Sequence, residues 1–316
     1  GTTLAELGAS AGAALTLVVT PPLHVLCACA DAQGRLWDLG SGRCVQSLRG
    51  HAAPVKSAVA SPDGRQVLTA SDDGTAKLWC AATGECSRTL SGHADCVCSA
   101  VFSPDGEEVL TASDDGTAKI WSAATGECRC TLGRGGADVV NSAAFSPDGR
   151  QVLTACSDGS ATLWSAPSGD CLRVLEGHAE GVCSAAFSPR GRHVITASDD
   201  CTAKVWSSSS GECLRTLEGH QEGVQWAVFS PGGLQAATAS ADCTARLWSM
   251  ESWECTGTLE CDSDVYSAVF SPDGQQVLTA SGDGTVRAWL ASSGDCWRTL
   301  EMSRGCVLHA SFVPCR

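Results

Sequence analysis

The sequence predicts an all-β fold, a seven-bladed β-propeller of four-stranded antiparallel blades. Three observations predict it. Seven tryptophans keep time: Trp37, Trp79, Trp121, Trp164, Trp206, Trp248 and Trp289 are spaced by 42, 42, 43, 42, 42 and 41 residues. A period of that length marks one supersecondary unit repeated along the chain. Each unit holds four short β-like runs with turn signals between them. One such sheet cannot bury both faces, so copies must stack face to face, and a ring of stacked sheets is the solution.

The stretch 92–128 is the clearest copy, and 50–86 is nearly the same sentence. Its runs are Val97–Ser103, Glu108–Ser113, Ala118–Ser122 and Cys128–Leu132. Ser-Pro-Asp-Gly (103–106) parts the first two, because proline presets one turn dihedral and glycine accepts positive φ. Asp-Asp-Gly (114–116) makes a tight hairpin between the second and third, and Ala-Thr-Gly (124–126) parts the third and fourth.

Four residue types recur at fixed offsets. They are His51, Thr69, Asp73 and Trp79 in the second unit, and His93, Thr111, Asp115 and Trp121 in the third. The His-to-Asp offset of 22 returns in His178/Asp200 and His220/Asp242. The spacing puts Asp in the hairpin turn, His before the first strand, and Thr and Trp on the middle strands. A chain from His to Asp, continued through Thr and the indole N–H, would satisfy buried polar groups and lock each sheet. Histidine, aspartate and a hydroxyl are also the ingredients of a nucleophile triad. An active site occurs once, however, and this set occurs in several copies with its hydroxyl on a buried strand. The Gly-His start and the Trp after Asp-Gly-Thr-Ala-Lys resemble the signature points of WD40 repeats, and the four residues resemble that family's structural tetrad. The resemblance covers roughly residues 13–313, and seven registers agree.

Taken in order, residues 1–12 form an N-terminal segment, flexible or an outer strand, and 13–316 form a single propeller. There is no initiating Met, which points to processing or to a fragment. Blade 1 spans about 13–48, with Ala13–Val19 as its inner strand rather than a secretory signal, since no basic leader precedes it. It keeps Asp31 and Trp37 but has Cys27 where the others have Thr. Blades 2 and 3 (about 54–90 and 96–132) are the best copies. Blade 4 (about 139–175) replaces Gly-His with Gly-Arg-Gly-Gly (133–136) and keeps Thr154, Asp158 and Trp164, so a looser blade is expected. That glycine run is no phosphate loop, lacking Gly-Lys-Ser/Thr and a following helix. Blades 5 and 6 (about 181–217 and 223–259) have full sets: His178, Thr196, Asp200 and Trp206, then His220, Thr238, Asp242 and Trp248. Blade 7 (about 264–300) has Cys261-Asp262 in place of the His and keeps Thr279, Asp283 and Trp289. Residues 306–313 match the inner strands, so they either close the ring against blade 1 or begin a further repeat. Pairing between the chain ends would remove exposed sheet edges.

Composition narrows the function classes. The formal charge is −14, and only four of 21 basic residues are Lys, which argues against nucleic-acid binding. No apolar run approaches the ~20 residues that span a membrane. Twenty cysteines include seven in register, Cys44, Cys86, Cys128, Cys171, Cys213, Cys255 and Cys296, each opening an outermost strand. One per blade places them far apart, so reduced cysteines acting as small apolar residues in an intracellular protein, cytoplasmic or nuclear, are expected. Cys96, Cys98 and Cys183 approach one ring face, but Cys-x-Cys lacks the second pair a zinc site needs, so neither metal nor other cofactor is expected.

The resemblance implies that the loops leading into each blade and the middle hairpins share one face, the top. Its candidates are Lys56, Cys98, Asn141, Cys183, Gln225 and Tyr266, beside Asp72, Asp114 and Asp199. Asp95, Glu180, Glu222 and Asp264 add charge in the loops. The bland reading is turn chemistry, since Asp suits tight turns; the clustering from several blades makes an acidic field that attracts a basic peptide or tail. The resulting expectation is a non-catalytic scaffold for other proteins, with no small-molecule substrate. The alternatives are a regulatory or sensor propeller from a larger signalling protein, and an enzyme with a site in the central channel. Against the enzyme, the chain has no HExxH, GxSxG or phosphate loop.

Overall fold

The computed structural model describes residues 23–135, 138–302 and 305–314. Its strands form seven four-stranded antiparallel sheets, one per blade. Blade 3 runs Val97–Phe102, Glu108–Ser113, Ala118–Ser122 and Cys128–Leu132 from the inside outward. These bounds follow the turn residues named above.

Burial explains the sequence of each strand. The second strand of every blade is an almost continuous buried run, as in Gln66–Ser71 and Glu108–Ser113, because neighbouring blades cover both of its faces. The outermost strand buries mainly one leucine near its end, such as Leu90 or Leu132. The core lies between blades rather than within them. Leu68, Ala70, Leu78 and Leu90 of blade 2 pack with Val97, Val109 and Trp121 of blade 3. Inner strands are also stitched across blades: the amides of Ala100, Ala227 and Ala310 donate to Ser57, Ser184 and Ser267 at 3.1, 3.0 and 3.2 Å.

The ring closes on one strand. Val307–Phe312 pairs antiparallel with His24–Cys29, giving blade 1 the order Val307–Phe312, His24–Cys29, Gln33–Asp38 and Arg43–Arg49. The C-terminal strand thus holds the inner place that the sequence reading gives to Ala13–Val19. The other edge of His24–Cys29 is already paired with Gln33–Asp38, so no second inner strand can bond to it. Residues 1–12 and 13–19 lie outside the described residues.

Candidate functional site

In the four complete blades the recurring residues form one directed chain. Each indole N–H donates to its Thr hydroxyl at 2.8–2.9 Å: Trp79 to Thr69, Trp121 to Thr111, Trp206 to Thr196 and Trp248 to Thr238. The Nε2 of His51, His93, His178 and His220 lies 2.7–2.8 Å from the same hydroxyl. The Nδ1 of each lies 2.7–2.8 Å from Asp73, Asp115, Asp200 and Asp242. An ionised carboxylate only accepts, so the imidazole proton sits on Nδ1 and Nε2 accepts from Thr. Burial lowers the pKa of all four histidines, against the pull of their aspartates, so they are held in the neutral form. Burial alone would raise Asp73, but donation from Thr75, the Ala52 amide and His51 overcomes it and holds the carboxyl down at about 2.

The local sequence builds this. Gly92 precedes His93 at φ +149°, and a Cβ there would meet Trp121 at 3.2 Å, so the Gly-His start lets the backbone lie on the indole. Thr75 and its counterparts Thr117, Thr202 and Thr244 donate to the Asp at 2.6 Å. Sequence reading overlooked these threonines, although their signal was the repeated Asp-x-Thr. In blades 5 and 6 Cys201 and Cys243 take the hairpin's left-handed position, at φ 66° and 65°, as Ala32 does in blade 1, where blades 2, 3, 4 and 7 have glycine. Replacing His93 by Ala is expected to cost about 1–3 kcal/mol, since Asp115 keeps three of its donors but the chain to Thr111 is cut. Equilibrium urea unfolding checks this, and an unchanged midpoint would remove the stabilising role of the chain.

Blades without the histidine recruit arginine. Asp31 binds Arg35, Asp158 binds Arg134 at 3.3 Å, and Asp283 binds Arg287 at 3.5 Å. Arg35 and Arg287 stand where the complete blades 2, 3 and 5 have Lys77, Lys119 and Lys204 and the complete blade 6 has Arg246. Trp164 and Trp289 still donate to Thr154 and Thr279 at 2.9 Å. In blade 7 the Cys261 thiol takes the imidazole's place, 3.7 Å from Thr279. In blade 1 Cys27 supplies no hydroxyl, and the buried Trp37 indole N–H has no partner among the described residues.

The expected top-face residues make separate local contacts in several blades. Cys96 Sγ reaches the Asp72 carbonyl at 3.4 Å, and Gln225 Nε2 reaches Asp199 at 3.2 Å, so the loop entering blade 3 and the inner strand of blade 6 each touch the preceding blade's hairpin. Lys56 lies 3.5 Å from Asp72. Asp114 and Asp199 are held by thiols rather than cations: Cys98 donates at 2.9 Å and Cys183 at 3.2 Å. Burial and the adjacent carboxylates push both thiols far up, so they stay protonated donors. Asn141 turns to the Val182 carbonyl of the next blade at 2.9 Å. Tyr266 packs its hydroxyl beside Gly282.

Cysteine placement differs from the expectation of small apolar fillers. The seven in-register cysteines are exposed, and six of them give the thiol to the carbonyl two residues on, as Cys86 does to Arg88 at 3.4 Å. They sit where the outer strand bulges opposite each tryptophan, so the pleat no longer turns them inward. Cys98 and Cys183 lie in different blades on different aspartates. Among the described residues one grouping has metal-ligand spacing, Asp95, Cys96 and Asp114, whose donor atoms lie within 4.8 Å of one another; Asp95 is exposed and Asp114 is committed to Cys98.

Among the described residues no helix is long and apolar enough to cross a membrane. A family model described as the IFT122 first beta-propeller matches residues 139–316, and one described as WD domain, G-beta repeat matches 42–80 and 84–122.

Proposed function

Because the chain belongs to the WD40-repeat β-propellers, and over more than half its length to the family of the IFT122 first beta-propeller, we propose that it is a non-catalytic scaffold. Its docking surface is the acidic top face, and its partner there is a basic segment of another protein. These families are generally scaffolds, and their partners are other proteins. The observation that supports the finer reading is that Asp72, Asp114 and Asp199 recur in the middle hairpins of their blades, two of them bonded by neutral thiols that leave their charge uncancelled. Such a field raises the encounter rate of a cationic partner and repels an anionic one. Lys56, Asn141, Gln225 and Tyr266 would supply directional contacts around it. We place the protein inside the cell, because nineteen cysteines among the described residues are free.

The test is a paired capture from cell extract, one bait unaltered and the other carrying Asp72→Lys, Asp114→Lys and Asp199→Lys, both first shown to be folded. The expected result is a set of proteins retained by the first bait and lost by the second, with binding that weakens as salt rises. Identical captures would move the docking surface to the rim or the opposite face. A second reading, a regulatory or sensor propeller within a larger signalling protein, draws support from the word "first" in the matched family's description. The complete reading frame separates the two.

A further inference from the structure

The turns between the first and second strands change the sign of their charge around the ring. In blades 2, 3 and 7 they read Ser-Pro-Asp-Gly followed by Arg65, Glu107 and Gln275, one arginine against four carboxylates. Blade 4 has Ser146-Pro147-Asp148-Gly149-Arg150, blade 5 has Ser188-Pro189-Arg190-Gly191-Arg192, and blade 6 has Ser230-Pro231-Gly232-Gly233-Leu234. These three hold three arginines against one carboxylate, in a chain of formal charge −14. They lie side by side. A Cβ on Gly191 would meet Pro147 at 3.5 Å, and one on Gly233 would meet Pro189 at 3.5 Å, so the blade 5 turn rests on that of blade 4 and the blade 6 turn on that of blade 5. The turn itself does not need Arg190. Asp63, Asp105, Asp148 and Asp273 accept from the serine hydroxyl two residues before them at 2.5–2.6 Å, a bond that arginine cannot accept. Blade 5 still closes its turn, with the Gly191 amide donating to the Ser188 carbonyl at 2.8 Å and the His193 amide to the Ser188 hydroxyl at 3.0 Å. Arg129 and Arg173 are exposed but tied down, to Glu108 at 2.7 Å and to the Ser209 and Ser210 carbonyls at 2.8 Å. Arg150, Arg190 and Arg192 are exposed and, among the described residues, have no ion pair or side-chain hydrogen bond. Beside them Leu234 is the most exposed large hydrophobic residue among those described, at 74%.

We propose that the turns of blades 4, 5 and 6 dock an acidic segment of another protein, a short run of Asp and Glu with an apolar residue beside it. The guanidinium forks of Arg150, Arg190 and Arg192 take its carboxylates in paired hydrogen bonds, and Leu234 takes the apolar residue. The one carboxylate in these turns, Asp148, is engaged by the Ser146 hydroxyl and the Arg150 amide. The segment is short because the positive turns end at Asp105 and Glu107 of blade 3 and Asp273 of blade 7. A long polyanion or an anionic bilayer would lie across those acids as well, and the charge of the whole chain repels it. The surface is separate from the acidic hairpins. In blade 5 the second strand, His193–Ser198, begins after Arg192 and ends before Asp199, so six residues at about 3.3 Å each set the two roughly 20 Å apart. One ring therefore holds a cationic segment at its hairpins and an acidic one at these turns.

The experiment is fluorescence anisotropy of a labelled peptide, Glu-Glu-Asp-Leu-Glu-Glu-Asp-Leu, titrated with the full chain at pH 7.5. The expected result is saturable binding that weakens as salt rises and is absent for the counterpart with Gln and Asn in place of Glu and Asp. Arg190→Asp gives blade 5 the turn residue of blades 2, 3, 4 and 7. It should leave the urea unfolding midpoint in place or raise it, while weakening the peptide by about tenfold. Leu234→Gln, the residue type of blade 7, should weaken it by less. The chain carrying Asp72→Lys, Asp114→Lys and Asp199→Lys should bind the peptide at least as well as the original, so failure here is distinguishable from failure of the hairpin docking surface. No saturable binding, or binding unchanged in Arg190→Asp, overturns the proposal. Vesicles of phosphatidylserine and phosphatidylcholine that bind the chain and displace the peptide would assign the three turns to a membrane surface and overturn it as well.

Discussion

Trp121→Ala lowers the free energy of unfolding by about 3–5 kcal/mol, the range for truncating a buried large aromatic. Two losses add. The ring is 2% exposed and packs among Leu68, Leu78, Val97 and Val109, so it fills the space between blades 2 and 3 rather than the interior of one sheet. Its N–H is also the first donor of the chain through Thr111 to His93. Trp121→Phe separates the two, keeping most of the apolar contact while leaving Thr111 without its donor, and should cost less than the alanine. Urea unfolding followed by circular dichroism measures both. If the alanine variant unfolds at the midpoint of the original chain, the inter-blade packing carries no stability there. Because blades contact only their neighbours, the loss should first appear as loosening of blades 2 and 3.

That tryptophan also shows what was legible beforehand. Its recurrence fixed the number of blades, and the turn residues around it fixed strand bounds to within about one residue in blade 3. Both signals are local and repeated seven times. The hydrogen-bonded chain was legible for the same reason: an offset of 22 residues between His and Asp has one meaning when it occurs four times. What escaped the sequence were contacts without a repeat. Arg35 and Arg287 share the place four residues after their aspartates, but blade 6 keeps its histidine and has Arg246 there, so that register did not mark them as bound to the aspartate; Arg134 comes from an entry loop with no counterpart. The exposure of Cys44 and its counterparts follows from a bulge opposite the tryptophan, and a one-residue shift of pleat cannot be read from alternation alone. Ring closure was legible only as a choice, because residues 306–313 resemble every inner strand equally.

The closing strand makes the ring sensitive to acid. His309 lies on it, paired opposite Ala28, and is 4% exposed. It stands at the inner-strand place where most blades have serine, and so does Trp226 of blade 6. The two rings meet at 5.1 Å, and among the described residues neither His309 Nδ1 nor Trp226 Nε1 has a hydrogen-bond partner. Burial lowers the His309 pKa to about 4, opposed only weakly by its bond to the Ala58 carbonyl. The unfolded chain takes this proton near pH 6.5, whereas the closed ring refuses it until about 4. Stability is therefore complete above pH 6.5 and falls as pH drops toward 4, by about 3 kcal/mol from this residue alone. The lowered pKa values of His51, His93, His178 and His220 act in the same direction. The tetrad carboxylates act later: Asp73, Asp115, Asp200 and Asp242, held at about 2, withdraw their contribution only as pH falls below 3.8. Unfolding measured at pH 7.5 and 4.5, with and without His309→Gln, isolates the term, since Gln keeps a donor for Ala58 but does not titrate. The variant should lose roughly 2–3 kcal/mol less than the original chain between the two pH values. Equal losses would mean that the strand carrying His309 is not sealed against Trp226, and that the ring is held shut by its neighbours' serine bonds instead.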